Sequence, residues 1–147
     1  KVVDIVAIKN VNNNELIIDL YHCKYCLKTD GIARPGARID DVYQVAGQAI
    51  KSVKWFGDKE KIILRLINRE RSHLAKGKAS RIEKESIDDL FNLAKVSRYS
   101  SFRLGISIIQ SAISKAVISN EQRSVLGVIE TYINEVSGVK LKVIASQ

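Results

Sequence analysis

The run Glu15-Leu-Ile-Ile-Asp-Leu-Tyr-His-Cys-Lys-Tyr25 constrains this chain more than any other stretch. It reads as a strand, and strand side chains alternate between two faces. Leu16, Ile18, Leu20, His22 and Lys24 therefore share a face, at the end of a run that reads as buried. A buried ammonium without a partner is costly, so Lys24 needs one. The nearest candidate in sequence is Asp4, inside the preceding apolar run Val2-Val-Asp-Ile-Val-Ala-Ile8. The Asn-rich segment 10–14 reads as the hairpin turn between the two runs. An acid, a second metal-competent group and a lysine on adjacent strands point to chemistry on a phosphodiester.

At 147 residues the chain is read as a single domain, large enough for a real core. Hydrophobic residues make up 46%, which excludes a disordered chain. No apolar run approaches the ~18–20 residues that span a bilayer, and no secretory signal pattern is present. The chain has no methionine and opens directly into a strand, so it reads as an N-terminally trimmed piece of a larger protein. Cys23 and Cys26 cannot pair along one strand, since three extended residues separate them by ~10 Å. With no second Cys pair they read as reduced thiols of a cytoplasmic protein rather than a zinc or redox module.

The net charge is +8, and the excess is local. Residues 51–84 hold eleven Lys or Arg against four acids, at 58, 60, 70 and 83. A basic face of this kind suits a polyanion, most simply nucleic acid. Arg34 and Arg38 flank the loop beside the proposed site and would contact phosphates, as would Lys51 and Lys54.

Beyond the hairpin, the pattern predicts a loop over 29–38 and a helix over 39–55, with Val42, Val45, Ala46, Ala49, Ile50 and Val53 on its apolar stripe. Gln44, Gln48, Lys51 and Trp55 would line another side. Gly47 costs that helix about 1 kcal/mol against alanine, which suggests a close approach to a sheet or to a nucleic-acid backbone. Residues 61–68 read as a third strand, followed by a basic linker in which His73 is solvated. Ser86 reads as the N-cap of a helix over 87–98. A strand follows over 102–110. Ser119 and Gln122 read as the capping box of a helix to about 136, ended by Gly138, before a last strand over 139–145. The order β-β-α-β-α-β-α-β implies an α/β fold, a mixed central sheet flanked by helices.

Metal-dependent phosphodiester hydrolysis needs carboxylates to hold Mg²⁺ or Mn²⁺ and a lysine near the developing charge. Asp4, His22 and Lys24 meet that need in type and spacing. In these residues the chain resembles the PD-(D/E)XK, or restriction-endonuclease-like, nuclease superfamily. Asp4 occupies the position of its first acid, and His22-Cys-Lys24 that of its acid-x-Lys pair. A following helix in that superfamily carries a Gln or Lys facing the site, a part matched by Gln48 and Lys51. The chain also looks like C-terminal nuclease-like domains of bacterial DEAD/DEAH-type helicases, on the segments Leu20-Tyr-His-Cys-Lys-Tyr25, Pro35-Gly-Ala-Arg-Ile-Asp-Asp-Val-Tyr43 and Val45-Ala-Gly-Gln-Ala-Ile-Lys-Ser52. The resemblance lies mainly in residues 2–55.

It implies a metal-dependent deoxyribonuclease domain joined to a helicase domain. Asp4 and His22 would bind Mg²⁺ or Mn²⁺, Lys24 would orient water and stabilise charge, and Gln48 would position water or phosphate. DNA would be the partner, with no membrane association. His22 stands where an acid is expected, and a neutral imidazole suits Mn²⁺ better than Mg²⁺. Asp19 cannot substitute, because strand parity turns it away from Lys24. Either an acid upstream of Lys1 completes the site, or the domain binds nucleic acid without cutting it.

Overall fold

The computed structural model describes residues 3–12, 14–24, 28–29, 32–33, 39–114, 116 and 118–146. The first hairpin forms where alternation predicts it. Strand β1 is Ile5–Val11 and β2 is Glu15–Lys24. Between them the Asn14 amide donates to the Val11 carbonyl at 3.0 Å, and Asn12 takes a positive φ of 51°, which asparagine tolerates better than most residues. The start of β1 was expected at residue 2, but the strand begins at Ile5, so Asp4 lies just before it. A two-residue pair follows, β3 (Lys28–Thr29) antiparallel to β4 (Ile32–Ala33).

Helix α1, Ile39–Ser52, continues into a single 3-10 turn, Val53–Trp55. Then come α2 (Lys59–Leu74), α3 (Ile87–Val96), β5 (Ser101–Ser114), α4 (Asn120–Ser137) and β6 (Leu141–Ser146). The main sheet has the order β1-β2-β5-β6. β5 and β6 run parallel, Ile106 opposite Leu141 and Ile108 opposite Val143, with an irregularity between Gln110 and Ser114. Parallel neighbours need a long crossover, and α4 supplies it. The fold is thus α/β, with a mixed four-stranded sheet and flanking helices. No helix among the described residues is long and apolar enough to cross a membrane.

Residues 61–68 are not a strand. They lie inside α2, a helix of 16 residues. Three isoleucines give the segment strand-like composition, but its burial follows the helical period. Ile62, Ile63, Ile67 and Glu70 are buried, whereas Leu64, Arg65 and Asn68 are exposed. Asp58 caps the helix, accepting the Lys61 amide at 3.0 Å, and no proline or glycine interrupts the run before Gly77. Ser86 caps α3 as predicted, there as a capping box with Asp89, the predicted box of Ser119 with Gln122 forms, and Gly138 closes α4 at φ 67°.

Residue contacts divide the chain into two units. One comprises the chain up to Ala7, Ile18–Lys54 and Leu104 onward. Its core collects Ile18 and Leu20 of β2, Val42, Val45, Ala46 and Ala49 of α1, Ile106 and Ile108 of β5, and Ile129 and Ile133 of α4. α1 packs on α4, and α4 on β6. The other unit comprises Ile8–Ile17 and Trp55–Arg103. There α2 packs on α3, around Leu16, Ile62, Ile63, Ile67 and Ala94. Trp55 belongs to this buried set, only 4% exposed, not to a polar helix face.

Two strand and helix glycines differ in what they do. A Cβ on Gly105, inside β5, would collide with the Asp19 carboxylate of β2. Gly105→Ala therefore needs the Asp19 carboxylate to rotate aside, and is expected to destabilise the chain by about 1 kcal/mol. Urea denaturation would read this, and a midpoint equal to wild type would contradict it. Gly47 has open space where its Cβ would stand, so no close approach within the protein requires it.

Candidate functional site

The end of β2 gathers the polar residues of the first unit. Leu16, Ile18, Leu20 and His22 are all fully buried, and Lys24 is the next residue on that face. Helix α1 answers with polar residues at helical spacing, Asp41, Gln44, Gln48 and Ser52. Lys24 Nζ donates to Gln44 Oε1 at 2.8 Å and stands 3.9 Å from Asp41 Oδ1. The Asp41 side chain is 3% exposed, against 30% for Lys24. It sits in the first turn of α1, where the helix dipole favours an anion. His22 Nε2 bonds Ser52 Oγ at 2.8 Å, and the Ser52 hydroxyl also reaches the Gln48 carbonyl at 3.4 Å. A hydroxyl has one proton. When Ser52 donates to Gln48, the shared hydrogen must come from His22 Nε2.

Asp4 joins this region from β1's side. Its amide donates to the Tyr21 carbonyl at 3.2 Å, and its Oδ2 accepts the Cys23 amide at 3.1 Å. The carboxylate thus lies at the peptide between His22 and Lys24, while those two side chains bond to residues of α1. Gln48 contributes its carbonyl. Lys51 and Lys54 are exposed. Arg34, Arg38 and Cys26 lie outside the described residues, and Cys23 is half-buried.

Three residues of this unit were not singled out from sequence as site candidates. Asp41 and Ser52 fall on the Gln48 stripe at i−7 and i+4, a signal that was present. Gln110 is fully buried on β5, and among the described residues neither of its amide atoms finds a hydrogen-bond partner. Asp41 Oδ2 is likewise buried without one. Unsatisfied buried polar atoms are uncommon and costly.

The resemblance implies a divalent metal, and the donor atoms present decide whether one fits. Asp4 Oδ2 is taken by a backbone amide and His22 Nε2 by a serine hydroxyl. A cation at that nitrogen would have to displace Ser52. Among the described residues, no three of His, Cys, Asp and Glu gather where one ion could bind them together. As placed, these side chains do not form a site for Mg²⁺, which demands near-octahedral oxygen ligation.

The second unit carries a different feature. The outer face of α2 and the segment after it form a groove of about 590 Å³, lined mainly by Arg65, Asn68, Arg69, His73, Lys76 and Lys78. Buried Glu70 builds its second wall. Glu70 Oε1 accepts the Ser80 hydroxyl at 2.9 Å and the Arg81 amide at 3.0 Å, and Oε2 accepts Arg81 Nε at 3.1 Å. Arg81 Nη2 also donates to the Arg69 carbonyl at 2.9 Å. Burial works against the Glu70 charge, but these hydrogen bonds and the Arg81 guanidinium outweigh it and hold its pKa below the ordinary 4.5. His73, expected in a solvated loop, lies half-buried in the last turn of α2.

Comparison with protein-family models, with curated proteins and with solved structures found no match to the chain.

Proposed function

We propose that this chain binds nucleic acid through its phosphates, as a restriction-endonuclease-like domain of a helicase-type protein that does not itself cut. The basic groove on α2 carries this reading. Among the described residues, Arg65, Arg69, Lys76 and Lys78 have no acidic partner within ion-pair distance. Unopposed cations lining a concavity attract a polyanion. The finer fold assignment draws support from the β1–β2 hairpin leading into α1 and from the parallel β5–β6 pair. Helicase association and a cytoplasmic setting draw on the residue resemblance over 2–55.

Cleavage is the second reading. One observation favours it: the Asp4 carboxylate lies at the peptide between His22 and Lys24, with Asp41 beside Lys24. It needs metal donors beyond those now gathered. Incubation of the chain with DNA, with and without Mn²⁺ or Mg²⁺, separates the two. Binding that weakens with salt, needs no metal and leaves the DNA intact is the expected result. Cleavage that requires Mn²⁺ and disappears in Asp4→Asn would replace it with the second reading.

A further inference from the structure

The geometry points to double-stranded nucleic acid as the occupant of the α2 groove, held by its phosphates rather than by its bases. This rests on the nucleic-acid reading above and specifies it. On α2, Arg65 and Arg69 stand four residues apart on one face, and Lys76 follows in the turn beyond the helix's end at Leu74. At ~1.5 Å rise per residue this places the two arginine positions ~6 Å apart along the axis, on the scale of the phosphate repeat of a polynucleotide strand. Lys78 adds a cation from the second wall.

These cations are held in place. The Arg65 guanidinium lies 6.0 Å from the ring centre of buried Trp55, a cation–π contact. The segment bearing Lys78 is tied to α2 through Glu70 and Arg81. Lys61, also at the groove, is 3.5 Å from Asp58 and contributes less.

What lines the groove decides between duplex and single strand. Single-strand sites offset the ordering of a flexible chain by stacking bases on aromatic rings. Among the described residues no Trp, Tyr or Phe lines this groove, and its aliphatic contribution is Leu64. A duplex needs no such platform, because its phosphates are already ordered and little conformational freedom is lost on binding. The concavity also argues against a flat anionic membrane, which would favour an exposed apolar helix face.

Fluorescence anisotropy with a short mixed-sequence duplex and its single strand of equal length tests the inference. The duplex is expected to bind at least tenfold tighter, with a slope of log K against log[salt] of about −4 for four neutralised phosphates. The triple reversal R65E/K76E/K78E should weaken the duplex by about 100-fold or more and flatten that slope by about 3. The neutral R65Q/K76Q/K78Q variant should fall between, and circular dichroism checks that both fold. Equal or tighter binding of the single strand would overturn the inference while leaving the nucleic-acid reading intact. So would duplex binding that both variants retain. Failure of both nucleic acids to bind, with or without capture by phosphatidylserine vesicles, would end both readings.

Discussion

Glu70→Ala is expected to destabilise the second unit by about 2 kcal/mol and to release the segment that follows α2. Glu70 is 3% exposed and accepts from one hydroxyl, one amide and one guanidinium nitrogen. Removing it strands an amide and deletes a charge-assisted bond, each worth on the order of 1–3 kcal/mol when buried. The figure stays near the lower end because the Arg81 side chain is 44% exposed, so water screens and partly replaces its bond. Limited trypsinolysis reads the local effect, with faster cleavage at Lys76, Lys78 and Arg81. The pH dependence follows from the lowered pKa of Glu70. A depressed carboxylate stabilises the fold above its unfolded-state pKa, and that contribution is lost as pH falls through the folded value. The gap between wild type and Glu70→Ala should therefore be full at neutral pH and close below the ordinary value of 4.5. A gap that widens in acid would show that Glu70 is not held as its carboxylate.

Lys24→Met should cost about 2 kcal/mol, and most of it should return when Asp41→Asn is added. The Asp41 side chain is almost wholly buried, and Lys24 is the cation beside it. Removing one member of such a pair leaves a buried charge without compensation, while replacing both members is often close to neutral. The loss here falls short of a fully buried pair because Lys24 is partly solvated and its direct hydrogen bond is to Gln44. A double-mutant cycle by urea denaturation measures the coupling. Additive single losses would mean that Lys24 serves Gln44 and not Asp41. The same packing affects any activity assay: loss of function in a Lys24 variant has a structural cause before it has a chemical one, and Asp4→Asn is the cleaner probe of cleavage.

Local signals were read well where one residue type had one meaning. Ser86, Ser119 and Gly138 marked helix ends through their own backbone chemistry. The alternation of Leu16, Ile18 and Leu20 predicted the buried face of β2 with His22 on it. The isoleucine-rich stretch of α2 was misread because β-branched residues suit a half-buried strand and a buried helix stripe alike. Asp58 as a cap, and the unbroken polar continuation to Leu74, distinguished them. Asp4 was expected within a strand, facing Lys24 across the hairpin. It lies before the strand instead, at the Cys23 amide, because β1 starts three residues later than its apolar run.

The α/β class, most of the elements and their caps, the polar end of β2 and the basic character of residues 51–84 were legible in the order of residues alone. Each of these depends on neighbours a few residues apart. Only the tertiary structure decided what Lys24 and His22 bond to, that Asp41 and Gln110 are buried, and that the cations of α2 line a groove whose second wall is tied down by Glu70. Those outcomes depend on burial and on partners from 10 to 30 residues away. A side chain's charge is written in its own letter, but its desolvation and its counter-charge are set by whatever the fold packs against it.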